Sequence, residues 1–140
     1  MAKSDRQMFT SLLTLYRPLI NELNVHLAKY NLFSSQWGII RILKHEEPLS
    51  FQAIAKATNI EKPSASSLIH KLISLGYVEI IEGSDKRTKL VRLSTAGELV
   101  YEEVECLIDE WVATLFNGIP EEIQTTITEA LDIMKKNLIN

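Results

Sequence analysis

A chain of 140 residues is long enough to bury a core and too short for two independent folding units. With 46% hydrophobic and 24% charged residues and only 5 Gly and 4 Pro, its composition excludes a disordered or fibrous chain and favours an ordered, helix-rich one. The net charge of −3 argues alone against a nucleic-acid partner, but ten carboxylates and no Lys or Arg lie between Glu98 and Asp132, whereas Lys86, Arg87, Lys89 and Arg92 cluster just before.

From about Arg6 to Tyr30, Phe9, Leu12, Tyr16, Leu19, Leu23 and Leu27 recur at steps of three and four, which predicts a long amphipathic helix. Pro18 lies inside it, so a kink or break is expected near Arg17. Ser34 and Ser35 are placed to cap a second helix carrying Trp37, Ile40 and Leu43, which should stop near Glu47-Pro48. Ser50 has the position of a cap for a short helix over 51–57, with Ile54 and Ala57 inward, and Thr58-Asn59-Ile60 reads as a tight turn. Pro63 suits the first turn of a fourth helix ending before Gly76. Its apolar stripe is Ala65, Leu68, Ile69 and Leu72; its other face is Pro63, Ser64, Ser67, His70, Lys71 and Ser74. Two β-forming runs, 77–81 and 88–93, flank a basic turn and predict a hairpin. Thr95 and Glu98 have capping-box spacing and open a long fifth helix with Val100, Val104, Leu107, Trp111 and Leu115 on one side. After Asn117-Gly118, Pro120 starts a sixth helix with Ile123, Ile127, Leu131, Met134 and Leu138 on one face.

The expected fold is mainly α: a winged helix-turn-helix with a two-stranded β-wing and long N- and C-terminal helices. The order and spacing of two motifs resemble the MarR family of regulators. One runs from Leu49-Ser50-Phe51-Gln52-Ala53-Ile54-Ala55-Lys56 through Lys62-Pro63-Ser64 and Leu72 to Gly76-Tyr77-Val78. The other is Asp85-Lys86-Arg87 followed by Leu93-Ser94-Thr95-Ala96-Gly97. The resemblance spans essentially the whole chain. It implies a single domain over 1–140, with residues 34–94 as the DNA-binding lobe and residues 1–30 and 95–140 as dimerisation helices.

The polar face of the fourth helix offers small hydroxyls at Ser64 and Ser67, with Lys62, His70 and Lys71 as donors to phosphates or base edges of double-stranded DNA. The wing adds Asp85, Lys86, Arg87 and Lys89; the resemblance implies that Arg87 enters the minor groove and that Asp85 orients it. Ser67 stands where the family often has arginine, which removes a favoured guanine reader and leaves base preference open; Glu79 and Ile80 stand where relatives frequently carry arginines, so phosphate affinity is expected to be modest. The apolar stripes of the first, fifth and sixth helices exceed what the lobe can cover. Phe9, Leu12, Tyr16, Leu107, Trp111, Leu115, Ile127, Leu131 and Met134 are therefore assigned to a homodimer interface. Twofold symmetry would set two reading helices about one DNA turn, ~34 Å, apart on a pseudo-palindromic operator. The resemblance also implies a small aromatic effector between lobe and dimerisation helices, with Tyr16, His26 and Trp37 as candidate contacts, although core packing accounts equally for the aromatic residues.

Other chemistries find little support. The three histidines and the single Cys106 share no metal-ligand spacing, and carboxylates flank Cys106, which discourages thiolate formation. No Walker loop, nucleophile elbow, zinc-protease or dinucleotide motif is present, so neither an enzyme nor a cofactor is expected. The charged N-terminus lacks a signal-peptide core and no apolar run is of membrane-spanning length, giving an expected cytoplasmic location without a membrane partner. The reading is a ligand-responsive repressor. The acidic balance keeps open an alternative, a winged-helix module that docks proteins without DNA.

Overall fold

The computed structural model describes residues 3–85 and 87–139. In chain order it contains α1 (Lys3–Ala28), α2 (Ser34–Glu46), β1 (Leu49–Ser50), α3 (Phe51–Thr58), α4 (Lys62–Ser74), β2 (Val78–Glu82), β3 (Lys89–Leu93), α5 (Thr95–Leu115) and α6 (Glu121–Ile139). The chain divides within α5, after Leu107, into two compact units.

The first unit is organised around α2. Its apolar face buries Trp37, Ile39, Ile40 and Leu43, joined in the core by Leu27, Leu32, Ile54, Ile69, Leu72, Val91 and Val104. The predicted serine cap of α2 is corrected: Phe33 precedes the helix, Gln36 Oε1 accepts from Phe33 N at 2.8 Å, and Asn24 Oδ1 accepts from Ser34 N at 2.8 Å. Both serines already lie in the first turn, so other side chains satisfy its open N–H groups. Gln36 is buried, and this bond meets the cost of burying its amide.

Ser50 caps α3 as expected, its Oγ accepting from Ala53 N at 3.1 Å. The inward pair is Ile54 and Ala55, with Ala57 exposed, because the short helix turns adjacent residues rather than an i, i+3 pair toward α2. Asn59, at φ 56°, closes α3, and Gly76, at φ +81°, follows α4. The hairpin pairs Val78 with Leu93 through to Glu82 with Lys89. A third strand was not foreseen: β1 lies on the other edge of β3, giving the order β1-β3-β2. Two residues are too few to show an alternating pattern.

The predicted cap of α5 shifts by one residue. Ser94 Oγ accepts from Gly97 N at 3.0 Å, while the Glu98 carboxylate is drawn to Lys44 Nζ at 2.6 Å instead of turning back on its own helix. Gly97 is packed so closely that a Cβ there would lie 2.0 Å from the Tyr77 carbonyl oxygen. The glycine of the Leu-Ser-x-x-Gly run is thus a requirement of packing.

Helix α1 runs unbroken through Pro18, which corrects the expected break. Residues 13–18 are exposed, so water can take the carbonyl that proline leaves unbonded. Only Leu27 of this 26-residue helix is buried. In the second unit Gly118, at φ +91°, turns the chain into α6, which has no buried residue. No helix among the described residues is long and apolar enough to cross a membrane.

Candidate nucleic-acid interface

Helix α4 is divided by its own periodicity. Ala65, Ile69 and Leu72 are buried, and this fixes its rotation. Lys62, Pro63, Ser64, Ser67, His70, Lys71 and Ser74 are consequently all exposed, as the sequence pattern predicted. One face then presents two ammonium groups, an imidazole and small hydroxyls, a surface that admits close approach by a polyanion and supplies donors to it.

The wing concentrates its charge at the turn. In the stem, Glu79 faces Arg92 and Glu82 faces Lys89 across the strands, and Arg92 Nε meets Glu79 Oε1 at 3.0 Å. That pair offsets the charge of Arg92. The turn is held by Asp85, whose Oδ1 accepts from Arg87 N at 2.7 Å and whose carbonyl accepts from Thr88 N at 3.0 Å. Asp85 therefore sets the backbone at Arg87, and no ion pair joins the two side chains among the described residues. Arg87 is exposed, while Lys86 lies outside the described residues.

Between α4 and the wing runs a cleft of about 400 Å³ lined by Ser50, Phe51, Gln52, His70, Ile80, Arg87, Thr88 and Lys89. It brings together three of the predicted site residues, His70, Arg87 and Lys89. Ser50, Phe51, Gln52 and Thr88 were not predicted for the site. They reach it because the start of α3 folds against the hairpin, a long-range arrangement that no local pattern encodes.

The residues assigned to the dimer interface are either exposed or half-buried. Phe9 is 53% and Tyr16 63% exposed, Ile127 and Leu131 are exposed, and Leu12, Leu107, Trp111, Leu115 and Met134 are half-buried. Of the predicted effector contacts, Tyr16 is exposed, His26 is half-buried, and Trp37 is enclosed in the core, stacked on Tyr101 at 5.6 Å between centroids. A different groove, about 400 Å³, follows the exposed side of α2 past Ser34, Gly38, Arg41 and His45, with Thr58 and Ile60 on its other wall.

Several contacts pin the first half of α5 to this lobe. Lys44 lies 2.6 Å from Glu98, 3.7 Å from Glu102 and 5.4 Å from the centre of the Tyr101 ring. The hydrogen bond it donates to Glu98 holds the Lys44 ammonium above the usual lysine range. Tyr77 Oη donates to the Tyr30 carbonyl at 2.8 Å, and burial, then the Glu103 carboxylate, pushes both phenols above their usual value. Glu47 adds a bond to the hairpin, accepting from Leu93 N at 2.7 Å.

Among the described residues no group of three or more His, Cys, Asp or Glu is arranged to hold a metal ion. Comparison with known proteins points the same way as the geometry. A family model described as MarR family matches residues 30–88. An uncharacterised HTH-type transcriptional regulator of Staphylococcus aureus (strain MSSA476) is 30% identical over 136 residues, covering 94% of this chain and 92% of the relative. Among solved structures, Staphylococcus aureus MarR in complex with salicylate and kanamycin superposes with a TM-score of 0.85 at 24% identity, covering 96% of this chain and 92% of that one. A MarR transcriptional regulator from Methanosarcina mazei Go1 superposes with a TM-score of 0.84 at 23% identity, over 96% and 97% of the two chains.

Proposed function

The chain belongs to the MarR family of helix-turn-helix transcriptional regulators, and from that premise we propose that it is a homodimeric, ligand-responsive repressor of a pseudo-palindromic operator. In this reading residues 1–140 work as one functional domain, residues 34–94 contact DNA and the terminal helices join two copies. Lys62, Ser64, Ser67, His70 and Lys71 meet the major groove, while Asp85, Lys86, Arg87 and Lys89 form the wing contact. The observation that carries the reading is the wholly exposed polar face of α4 beside a cleft whose ionisable lining groups, His70, Arg87 and Lys89, are all basic. An acidic protein that carries this face uses local charge to meet phosphate, with its carboxylate-rich α5 and α6 turned to other work.

The test is fluorescence anisotropy of the protein on a fragment from upstream of its own gene, across a salt series. Wild type should bind with a log-log salt slope of about −5 to −7. Arg87→Ala should weaken binding about tenfold and flatten the slope by roughly one per wing, leaving thermal stability unchanged. Equal affinity of the two proteins sinks the wing assignment, and absence of DNA binding at low salt favours the protein-docking alternative.

For the effector, Tyr16 and His26 remain candidate contacts, while Trp37 is closed off as core. The α2 groove supports a ligand better, since Arg41 and His45 flank apolar walls from Ile42 and Ile60 suited to a small aromatic carboxylate. The salicylate bound by the Staphylococcus aureus MarR named above supports that class. Salicylate should weaken operator binding by wild type and fail to do so for Arg41→Ala.

A further inference from the structure

Resting on the reading of this chain as a DNA-binding regulator, we propose that His70 is a charge-switchable contact to a DNA backbone phosphate, so that operator affinity rises as pH falls through the imidazole range. The His70 side chain is exposed, yet it is not left to wander. Its ring packs against Phe51 of α3, with centroids 5.6 Å apart and planes inclined at 55°. That contact holds the imidazole at the mouth of the cleft between α4 and the wing.

The charged groups around the cleft are mostly cations. Across the cleft the wing contributes Arg87 and Lys89. The first turn of α3 contributes no ionisable group, and on α4 the other ionisable side chains are Lys62 and Lys71. Of the nearby wing carboxylates, Asp85 accepts from the Arg87 backbone and Glu79 pairs with Arg92, while Glu82 stands opposite Lys89 in the hairpin and does not line the cleft. A phosphate brought to this cleft favours the charged ring. Its oxygens only accept hydrogen bonds, a neutral imidazole donates one and an imidazolium donates two with a full charge. Binding therefore takes up a proton at each half-site, and lower pH tightens binding by the same linkage. Phe51 is a positioning residue in this scheme, and Ser50 and Gln52 are uncharged donors beside it.

The experiment measures operator affinity of the full chain between about pH 6 and pH 8 at constant ionic strength, the range in which histidine changes charge. Wild type, His70→Gln and Phe51→Leu are compared. Glutamine keeps a donor and does not titrate, so His70→Gln should lose the gain in affinity between pH 8 and pH 6, whatever its affinity at pH 8. Wild type should bind about tenfold more tightly at pH 6 than at pH 8. Phe51→Leu, which keeps an apolar side chain on α3 but frees the ring, should show a reduced gain. A wild-type pH response that persists in His70→Gln assigns it to His26 or His45 and overturns the proposal. Binding with no pH response overturns it alone, whereas no DNA binding at any pH overturns the regulator reading together with it.

Discussion

Helices α2 and α6 differ in what their own fold does with their apolar residues. Thirteen-residue α2 buries five side chains, including a glutamine whose amide is satisfied, whereas nineteen-residue α6 buries none. Helix α1 resembles α6 over most of its length, burying only Leu27 and leaving Met8, Phe9, Leu13, Leu15 and Tyr16 about half or more exposed. The lobe around α2 buries a core within one chain, whereas α1 buries one residue and α6 none. In water that exposure is costly, and the proposed dimer is the arrangement that removes it.

The comparison implies that substitutions in the two regions fail differently. Gly97→Ala would ordinarily stabilise a helix by about 1 kcal/mol. Here its Cβ must displace the Tyr77 carbonyl, so a net loss of about 3 kcal/mol is expected, read as a fall in the thermal midpoint. A midpoint equal to wild type would show that the joint is looser than its geometry. Leu131→Glu combined with Ile127→Glu should leave helical content intact and move the protein from dimer to monomer in sedimentation velocity, a loss of about 2 kcal/mol or more of association. A variant that remains dimeric would remove α6 from the interface. Tyr77→Phe deletes one hydrogen bond within the lobe and should cost about 1 kcal/mol, without altering assembly.

Alkaline titration sharpens the same contrast. Lys44 is raised chiefly by the hydrogen bond it donates to Glu98, while Tyr30, Tyr77 and Tyr101 are raised chiefly by burial. The folded lobe thus holds protons that the unfolded chain releases. The associated stability is fully present below the ordinary phenol and ammonium values, about pH 10, and is lost as pH rises through the folded values. Denaturant midpoints should fall above about pH 10, with a shallower fall in Tyr77→Phe. An unchanged slope in that variant would exclude Tyr77 as a contributor.

Much of the lobe was legible because its elements carry their own periodicity and punctuation. The exposed face of α4 follows from the spacing of Ala65, Ile69 and Leu72, and Ser50, Gly76 and Gly118 mark boundaries by side-chain chemistry or backbone freedom. The errors have a common origin in competition from distant partners. Glu98 leaves its own helix end for Lys44, Gln36 and Asn24 supply the bonds expected from serines, and β1 exists only because β3 lies beside it. The candidate site divides in the same way: its α4 residues could be named from local pattern and Arg87 from the family resemblance, but the cleft joining His70 and Arg87 to Ser50, Phe51 and Gln52 required the folded hairpin.

The meeting of Gly97 with the Tyr77 carbonyl has a mechanical meaning. Ser94 ties the same corner twice more, its N–H to the Tyr77 carbonyl at 3.0 Å and its hydroxyl to the Gly76 carbonyl at 2.5 Å. A clearance too small for a methyl group leaves no play between the root of the hairpin and the first turn of α5. The first turn of α5 and the base of the hairpin therefore form one rigid corner, so a rotation of that turn carries the root of the wing with it.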